Sequence, residues 1–425
     1  MNVLVVGGGG REHAIVKALK KNPRVTKLYC CPGNGGISED AECVNIRATD
    51  LDTLEAFAAS HAVDFAVVAP DDPLVLGLAD RFRAMGIPTF GPGKDAARIE
   101  GIKAFSKDLM RKYGIPTARF AVFSDPKRAL AYSISQPLPI VVKANGLALG
   151  KGVLICETHE EAAGAIREMM EQDRFGASGH TIVIEEFMTG PEVSVLAFTD
   201  GKTLVPMVSS MDHKRALDGD RGPNTGGMGT VAPNPYYTPE IADYCMKNIF
   251  LPTVYAMQAE GCPFSGCLYF GLMLTPDGPK VVEYNCRFGD PETQVVLPLL
   301  ESDLLEVMEA VANGRLAETE VRFSSGHAVC VVLASGGYPG KYETGKRIEG
   351  IDEASAQPGV CVYHAGTRRT GDGAYLTAGG RVLGVTAAAG TLSEAIDRAY
   401  QAAGCIRFEK KQFRSDIGRR AMQAK

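Results

Sequence analysis

The sequence predicts a multidomain protein that combines α/β and α+β units. Three observations support this fold class: the chain has 425 residues, strands alternate with helices over its first hundred residues, and hairpins dominate after about residue 190. A single hydrophobic core seldom grows beyond about 250–300 residues, so several domains are expected. Hydrophobic residues make up 45% and charged residues 22% of the chain, which is typical of a soluble globular protein.

The overall charge and the cysteines narrow the class of protein. A net charge of −5 gives no reason to expect nucleic acid or a membrane as partner. No apolar run is long enough to span a bilayer, and the start MNVLVVGGGGREH lacks the basic leader of a signal peptide. The eleven cysteines form no C-x-x-C pair and no zinc spacing. They predict reduced, mostly structural thiols and a cytoplasmic location.

The N-terminal region, predicted as a domain over residues 1–101, contains the strands NVLVV, VTKLYCC, DFAVVAP and IPTFG with helices between them. This alternation predicts a parallel sheet. The glycines of GGGGREH join the first strand to the first helix, where backbone N–H groups can bind an anion. A tight turn without a ligand is the alternative. Glu12 breaks the dinucleotide fingerprint, so a nicotinamide oxidoreductase is disfavoured.

The second region, residues 102–191, is predicted as a lid. The helix of KAFSKDLMRKYGIP precedes two strands that enclose a glycine loop, VVKANGLALGKGV. The loop is not a Walker A motif, because the spacing from Gly146 to Gly150 is one residue short and because a strand, not a helix, follows the loop. Lys143 and Lys151 would contribute charges to bound phosphates. The alternative is a glycine-rich hairpin with two solvated lysines. Taken alone, Glu185, Glu186 and Glu192 read as surface acids.

The remaining chain is predicted as a central domain over residues 192–325 and a C-terminal domain over residues 326–425. EVSVLAF with TLVPMVSS, and GCLYFGLMLTPDGPKVVEYN, read as two hairpins, and residues 238–260 read as a helix. HAVCVVLAS, GVCVYHAGT and GGRVLGVTAAA are predicted strands, followed by the helix LSEAIDRAYQAAG.

The stretch VVEYNCRFGDPE carries polar residues where a strand should face a core. Side chains alternate along a strand, so one face carries Glu283, Asn285 and Arg287, and the other carries Val282, Tyr284 and Cys286.

A magnesium site explains the polar face of this strand. Mg²⁺ prefers oxygen ligands, and Glu283 and Asn285 both present oxygen at low total charge. Arg287 can bind a carboxylate or a phosphoryl oxygen through two N–H groups. An ion pair between Arg287 and Asp290 is the alternative, but it leaves Glu283 and Asn285 unexplained. A non-catalytic nucleotide-binding module is not expected to carry this row.

Together the motifs resemble the ATP-grasp superfamily, and within it the glycinamide ribonucleotide synthetase family. The resemblance covers essentially the whole chain and is carried by GGGGREH, PGNGG, EGIKAFSKDLM, KANGLALGKGV, VIEEFMTGPEVS, DHKR, GPNTGGMG, EYNCRFGDPETQ, GGYPG and FRSDIGRRA. The pair GPNTGGMG and NCRFGDPETQ is the most specific part. Another ATP-grasp ligase, using formate or bicarbonate, is the alternative that GPNTGGMG argues against.

The resemblance implies a fold, a reaction and ligands. The fold would be a pre-ATP-grasp N-terminal domain, an ATP-grasp lid and central domain, and a C-terminal domain similar to that of biotin carboxylase. The reaction would join glycine to 5-phosphoribosylamine in purine biosynthesis, with ATP and Mg²⁺ or Mn²⁺, through a glycyl phosphate. A cytoplasmic monomer with small-molecule substrates is expected.

The resemblance also implies roles for individual residues. ATP would be bound by Lys103, Lys143, Gly150, Lys151, Glu185, Phe187 and Glu192, and the metal by Glu283 and Asn285. The amine substrate and glycine would meet Gly9, Gly10, Arg11, Asp71, Lys214, Asn224, Thr225 and Gly226. Arg287, Asp290 and Asp212 would surround the reacting centre, with the two aspartates as candidates for a general base.

Four positions depart from the pattern of the family. Asn145 stands where the family has an acid, Leu149 where it has alanine, and Phe270 where alanine is expected. Asp71 replaces a glutamate and so keeps the carboxylate on a shorter side chain. These changes bear on the lid and on substrate affinity, and leave the class of reaction unchanged.

Overall fold

The N-terminal sheet is parallel, as the strand–helix alternation predicts. The computed structural model describes residues 1–148, 152–172 and 174–424. Every neighbouring pair of strands in this sheet is parallel. The strands follow in the order Glu42–Cys43, Lys27–Pro32, Asn2–Gly7, Phe65–Val68 and Thr89–Phe90. The helices that join them are Gly10–Leu19, Leu51–Ser60, Asp71–Leu76, Leu78–Ala84 and Lys94–Gly101.

The lid is a four-stranded antiparallel sheet with a hydrophobic core of its own. Its strands follow in the order Phe120–Phe123, Ile182–Glu186, Ile140–Ala144 and Val153–Cys156. Helices Pro126–Ser135 and His159–Met170 pack against it and begin at the capping side chains of Asp125 and Thr158. Helix Lys103–Tyr113 leads into the lid and ends at Gly114, whose φ of +67° suits glycine.

The central sheet consists of the two predicted hairpins. Its antiparallel strands follow in the order Leu204–Pro206, Glu192–Asp200, Ser265–Thr275 and Gly278–Asn285. The helices of this region are Pro239–Cys245, the π-helical turn Met246–Phe250, Leu251–Ala259, Thr293–Val296 and Leu304–Ala312. Buried side chains of this sheet and of the N-terminal sheet share two hydrophobic cores, so the two sheets pack as neighbours.

The C-terminal sheet has six strands and crosses the predicted boundary at residue 325. Five follow in the order Met211–Asp212, Gly229–Ala232, His327–Ser335, Arg381–Ala389 and Val360–His364. Lys411–Gln412 also pairs with His327–Ser335. A two-stranded hairpin, Arg215–Leu217 with Arg221–Asn224, lies between the first two strands in sequence. The boundaries at residues 101, 191 and 325 stay predictions.

The remaining elements are short, apart from one helix. A small sheet contains Arg347–Ile348, Tyr375–Thr377 and Thr367–Arg369. The other helices are Ile351–Ser355, Leu392–Cys405 and Arg419–Met422, and the 3₁₀ turns are Ile37–Glu39, Gly176–Gly179, Leu297–Leu299 and Leu316–Glu318. All eleven cysteines are free, and eight of them are buried, which agrees with the structural thiols predicted. Within the described ranges, no helix is long and apolar enough to cross a membrane.

Candidate active site

The strand Gly278–Asn285 contains a bulge just before the predicted metal ligands. Its pairing with the neighbouring strand shifts register between Gly271 and Leu272, which leaves Val282 without a paired residue. An extra residue of this kind reverses the alternation of side chains. Val281 is therefore buried and Val282 is not, so the prediction that Val282 faces the core is wrong.

Beyond the bulge the predicted faces are correct. Tyr284 and Cys286 are buried, whereas Glu283 and Asn285 are partly exposed on the opposite side. The two proposed metal ligands therefore share one face at the end of the strand.

Glu283 is the carboxylate on which the lysines of the site converge. Burial opposes its ionisation, yet Lys214, Lys143 and Lys103 lower the pKa of Glu283 below its usual value. Lys214 Nζ lies 4.0 Å from Glu283 Oε1. The carboxylate is therefore ionised and surrounded by cations.

The residues at the end of this strand fit a divalent cation that also binds phosphate. When the Asn285 amide is oriented by its hydrogen bonds, its nitrogen donates to Glu100 Oε1 at 3.1 Å and to the Tyr284 carbonyl at 3.0 Å. Its oxygen then points away from these two acceptors, on the strand face that Asn285 shares with Glu283. Among the described residues, no group of three or more His, Cys, Asp or Glu side chains could form a metal cage. Two oxygen ligands suit Mg²⁺, which takes its other ligands from phosphates and water.

Lys103 is fixed at the start of its helix by the first residues of the glycine loop. Its Nζ donates to the Gly146 carbonyl at 2.9 Å, and the Ala104 N–H donates to Asn145 Oδ1 at 2.8 Å. The Asn145 side chain therefore caps the helix with an oxygen, which the acid of the family pattern would also provide. Gly150, Lys151 and Leu149 lie outside the described residues, and their roles stay predictions.

Glu185 is buried between two lysines. Its Oε2 lies 3.0 Å from Lys143 Nζ and 3.1 Å from Lys107 Nζ. The prediction that Glu185 is a surface acid is therefore wrong, and so is a solvated Lys143. Burial lowers the pKa of Lys107 to about 8, although the nearby Glu185 opposes that shift. The second oxygen of Glu185, Oε1, is buried and has no hydrogen-bond partner among the described residues.

Next to Glu185 the chain turns outward. The Glu186 carboxylate pairs with Arg119 at 2.6 Å, and the Phe187 side chain is 37% exposed. Glu192 Oε2 lies 2.9 Å from Lys214 Nζ, which raises the pKa of that lysine well above its usual value. The strand end from Glu185 to Phe187 thus offers an acceptor, backbone groups and an aromatic face to one ligand.

Arg287 pairs with Glu100 and Asp71, and not with Asp290 as the alternative interpretation had it. Its Nη2 lies 3.0 Å from Glu100 Oε1 and 3.7 Å from Asp71 Oδ2. Glu100 also accepts the Cys286 N–H at 2.7 Å. Burial raises the pKa of Glu100. Burial also acts to raise the pKa of Asp71, but the charge of Arg287 opposes it, and the pKa of Asp71 is lowered.

Asp290 lies where the N-terminal, central and C-terminal regions meet. Its Oδ1 accepts from Gln294 Nε2 at 2.8 Å and lies 3.4 Å from Arg381 Nη1, and its Oδ2 accepts the Arg11 N–H at 3.4 Å. Burial opposes ionisation, but Arg381 and Arg11 lower the pKa of Asp290. Asp290 is an ionised carboxylate whose two oxygens already have partners.

Asp212 has the opposite electrostatic character. Burial and the nearby Glu292 carboxylate raise the pKa of Asp212 well above its usual range. Glu292 itself accepts from Tyr269 Oη at 3.1 Å and from Ser194 Oγ at 3.3 Å. Of the two candidate bases, Asp212 is the one whose surroundings favour taking up a proton.

The glycine-rich loop at residues 224–227 packs onto Asp212. The Thr225 N–H and hydroxyl both donate to the Lys214 carbonyl at 2.8 Å, which fixes the loop beside that lysine. A Cβ at Gly227, whose φ is +112°, would lie 2.7 Å from Asp212 Oδ1. Only glycine allows this approach. Asn224 is exposed at the end of its strand.

The N-terminal glycine loop reaches the same centre. The Gly9 N–H donates to Glu12 Oε2 at 2.6 Å, and Arg11 Nε donates to Glu12 Oε1 at 2.7 Å. Arg11 Nη1 also donates to the Phe288 carbonyl at 3.2 Å, and a Cβ at Gly10 would lie 2.5 Å from Gln294 Nε2. A phosphate at this loop would therefore share its N–H groups with the Glu12 carboxylate.

Contacts thus connect most of the predicted residues into one site between the lid, the central sheet and the N- and C-terminal regions, named the cleft, and add others that sequence reasoning missed. The residues missed are Glu100, Lys107, Glu292 and Arg381. An acid among the buried apolar residues of helix Lys94–Gly101 was the available signal for Glu100. No local signal distinguishes Arg381 from other arginines of the C-terminal region.

Three family models match the chain in succession. They describe phosphoribosylglycinamide synthetase: the N domain matches residues 1–100, the ATP-grasp (A) domain residues 101–293, and the C domain residues 328–420. The chain belongs to the phosphoribosylglycinamide synthetase family. This membership confirms the resemblance seen in the sequence and makes the alternative ATP-grasp ligases less favoured.

Individual relatives agree with the family models. The phosphoribosylamine–glycine ligase of Caldanaerobacter subterraneus is 46% identical over 417 residues, which span 98% of this chain and 99% of that protein. The enzyme of the same name from Vibrio cholerae is 46% identical over 425 residues, with 99% of each chain covered.

Solved structures of this synthetase family and of a biotin carboxylase share the fold. The phosphoribosylamine–glycine ligase of Thermotoga maritima has a TM-score of 0.85 at 34% identity, covering 98% of this chain and all of that one. A biotin carboxylase from Campylobacter jejuni has a TM-score of 0.76 at 13% identity, covering 97% of this chain and 92% of that one. The second likeness concerns the fold alone, and it agrees with the predicted architecture.

Proposed function

We propose that this member of the phosphoribosylglycinamide synthetase family joins glycine to 5-phosphoribosylamine at the expense of ATP. The products would be glycinamide ribonucleotide, ADP and phosphate. One observation carries the proposal: three lysines surround the Glu283 carboxylate and lower its pKa, on a strand face that continues with Asn285 and Arg287. This arrangement suits a metal-bound triphosphate next to a second, anionic substrate.

ATP would lie between the lid and the central sheet. The strand end at residues 185–187 would receive adenine, because the unpaired Glu185 Oε1 can accept from its exocyclic amine. Glu192 would bind the ribose hydroxyls. Lys103 and Lys143 would bind phosphate oxygens, with Gly150 and Lys151 of the glycine loop closing over them.

Glu283 and Asn285 would hold Mg²⁺ or Mn²⁺. When bound, the cation neutralises phosphate charge and orients the terminal phosphoryl group for displacement. The lysines around Glu283 support this role because they lower the pKa of its carboxyl group.

Glycine and the amine substrate would occupy the other side of the cleft. Arg287 would bind the glycine carboxylate, with Lys214 and residues 224–226 around it. Asp71, Arg11, Gly9 and Gly10 would face the ribose phosphate of 5-phosphoribosylamine.

The reaction would proceed in two balanced displacements. A glycine carboxylate oxygen attacks the γ-phosphorus of ATP, the bond to the β–γ bridging oxygen breaks, and ADP leaves. The amino group of 5-phosphoribosylamine then attacks the carbonyl of glycyl phosphate, and inorganic phosphate leaves with the bonding electrons. Asp212, whose pKa burial raises, would accept the proton that the attacking nitrogen loses. Most of the catalysis is positioning and neutralisation of charge.

We infer that the protein acts as a cytoplasmic monomer with small-molecule substrates. The eleven free cysteines support a reducing compartment.

The decisive assay is ADP release measured with glycine, with and without 5-phosphoribosylamine. Sustained ADP release should require both substrates. ADP release that depends instead on formate or bicarbonate would identify another type of ligase and refute the proposal.

Isotope transfer tests the intermediate. With glycine labelled by oxygen-18 in its carboxylate, one labelled oxygen should appear in the released inorganic phosphate. Label in AMP, with pyrophosphate as the co-product, would show that an adenylate forms instead of an acyl phosphate.

A further inference from the structure

Both backbone polar groups of Gly226 are bound by side chains of the C-terminal region. The Gly226 N–H donates to Tyr338 Oη at 3.1 Å, and the Gly226 carbonyl accepts from Arg381 Nη1 at 2.6 Å. Gly226 lies in the loop at residues 224–227, between Lys214 and Asp212 in the cleft. A backbone segment without a side chain is thus fixed by two residues that lie 112 and 155 positions later in the chain.

The same arginine also binds the turn that follows Arg287. Arg381 Nη1 donates to the Asp290 carbonyl at 2.7 Å and lies 3.4 Å from Asp290 Oδ1. One guanidinium therefore connects the glycine-rich loop to the Asp290 turn. The contact leaves no spare room, because a Cβ at Gly226 would lie 3.0 Å from Arg381 Cζ.

We propose that Arg381 and Tyr338 are positioning residues of the ligase reaction. They fix the spacing between the loop at residues 224–227 and the Asp290 turn, so that glycine and 5-phosphoribosylamine align between these two segments. The C-terminal region thereby completes the active site without touching the nucleotide. This inference rests on the proposed function of the cleft.

Arginine suits this position better than lysine does. Its planar group presents several N–H donors in a fixed geometry, whereas an ammonium group is a single point charge on a flexible stem. Small errors in alignment are costly, since a displacement of about 1 Å can reduce a rate by about 100-fold.

The test compares Arg381→Met, Arg381→Lys and Tyr338→Phe with the wild-type chain. For Arg381→Met, kcat/KM for glycine and for 5-phosphoribosylamine should fall by about 10- to 100-fold, as expected for a lost hydrogen bond to a charged group. The KM for ATP should stay within about 2-fold of wild type, since ATP binds elsewhere in the cleft.

Tyr338→Phe removes one neutral hydrogen bond and should reduce the same two kcat/KM values by about 2- to 10-fold. Arg381→Lys should lie between wild type and Arg381→Met.

A matched control is Arg398→Met. Arg398 also pairs with an acid, Glu394, and donates to the Pro358 carbonyl, but it lies on the helix Leu392–Cys405. This variant should keep all kinetic constants. It separates the proposed role from a general effect of removing an arginine from the C-terminal region.

A double-mutant cycle shows whether Arg381 acts through Gly226. Gly226→Ala places a methyl group against the guanidinium, so its effect should be large with Arg381 present and small in the Arg381→Met background. Equal, additive losses would overturn the proposal, because they would mean that the two residues act separately.

The remaining outcomes distinguish the two proposals. If the wild-type chain fails to release ADP with glycine and 5-phosphoribosylamine, the proposed function is wrong. If the wild-type chain is active and Arg381→Met has normal kinetics, or raises the KM of all three substrates equally, the positioning role is wrong. Should Arg381→Met fail to fold, Tyr338→Phe and Arg381→Lys provide the same comparison.

Discussion

The cations of the cleft divide into two groups that differ in what they contact. The lysine group, Lys103, Lys107, Lys143 and Lys214, surrounds the carboxylates of Glu185 and Glu283, and its members lie on the lid side and the central side of the cleft. The arginine group, Arg11, Arg287 and Arg381, surrounds Asp71, Glu100 and Asp290.

The two groups also differ in the backbone groups that they bind. In the arginine group, Arg11 and Arg287 both donate to the Phe288 carbonyl at 3.2 Å, and Arg381 donates to that of Asp290. These contacts cross-link one turn. Each group also has one buried atom without a hydrogen-bond partner among the described residues, the acceptor Glu185 Oε1 beside the lysines and the donor Arg287 Nε. We therefore expect substitutions in the arginine group to reduce stability, and substitutions in the lysine group to reduce nucleotide affinity.

The largest effect is expected for Arg287→Met. Removing the arginine leaves the buried Glu100 carboxylate without its cation, which should cost about 3–5 kcal/mol in the free energy of unfolding. Denaturant unfolding at neutral pH measures this loss, and steady-state kinetics should show strongly reduced turnover.

The pH dependence and a second variant identify the cause. Without Arg287 the folded-state pKa of Glu100 should rise further above its unfolded value, because burial then loses the cation that opposes it most strongly. The folded state would bind more protons, so the stability of Arg287→Met should fall as pH rises through that interval and recover on acidification. Arg287→Met with Glu100→Gln should be more stable than Arg287→Met alone. If the double variant is no more stable than Arg287→Met, the buried charge of Glu100 is not the cause of the stability loss.

Glu283→Gln should have the next largest effect, and it separates metal binding from folding. The variant removes the only carboxylate among the two predicted metal ligands, so the Mg²⁺ concentration for half-maximal activity should rise by about 10-fold or more. Its unfolding should stay close to that of wild type. Glu309→Gln, in an ion pair with Arg24 far from the cleft, is the control. An unchanged magnesium midpoint would mean that the metal binds elsewhere.

Much of the lysine group could be predicted from local sequence. Lys143 ends a strand before a glycine loop, and Glu283 and Asn285 alternate on one strand, so short-range periodicity placed all three. The bulge at Val282 could not be predicted, because it depends on pairing with Gly271 across the sheet. Even so, Glu283 and Asn285 lie beyond the bulge and kept their common face.

The arginine group was less accessible to sequence reasoning. Arg287 and Glu100 are 187 residues apart, and Arg381 and Gly226 are 155 apart. Such contacts depend on how domains pack, which no local pattern encodes. The strand Gly229–Ala232 illustrates the same limit, since it belongs to the C-terminal sheet although its sequence position falls in the predicted central domain.

Lys143→Met should weaken ATP binding without the stability loss of Arg287→Met. A charge-assisted contact of about 1.5–3 kcal/mol disappears, which corresponds to a rise of about 10- to 150-fold in the KM for ATP. Lys112→Met is the control, because Lys112 pairs with Glu260 on the surface and should be nearly neutral. If Lys143→Met unfolded as readily as Arg287→Met while keeping its ATP affinity, the proposed division between the two groups would be wrong.

At neutral pH the smallest effect is expected from Lys107, because its contribution appears only as the pH rises above neutrality. Burial lowers the folded-state pKa of Lys107 from its usual 10.5 to about 8, so between those values the unfolded chain binds more protons. Stability should therefore rise with pH over this interval, by at most about 3 kcal/mol. Lys107→Met should lack this rise. Unfolding of both proteins between about pH 7.5 and 10.5 measures the difference, and the control Lys112→Met should behave as wild type.

Over the same interval the wild-type KM for ATP should increase by about 2- to 5-fold, because Glu185 loses one of its two cationic partners. A parallel rise in stability in Lys107→Met would assign the titration to another group and would mean that folding does not lower the pKa of Lys107.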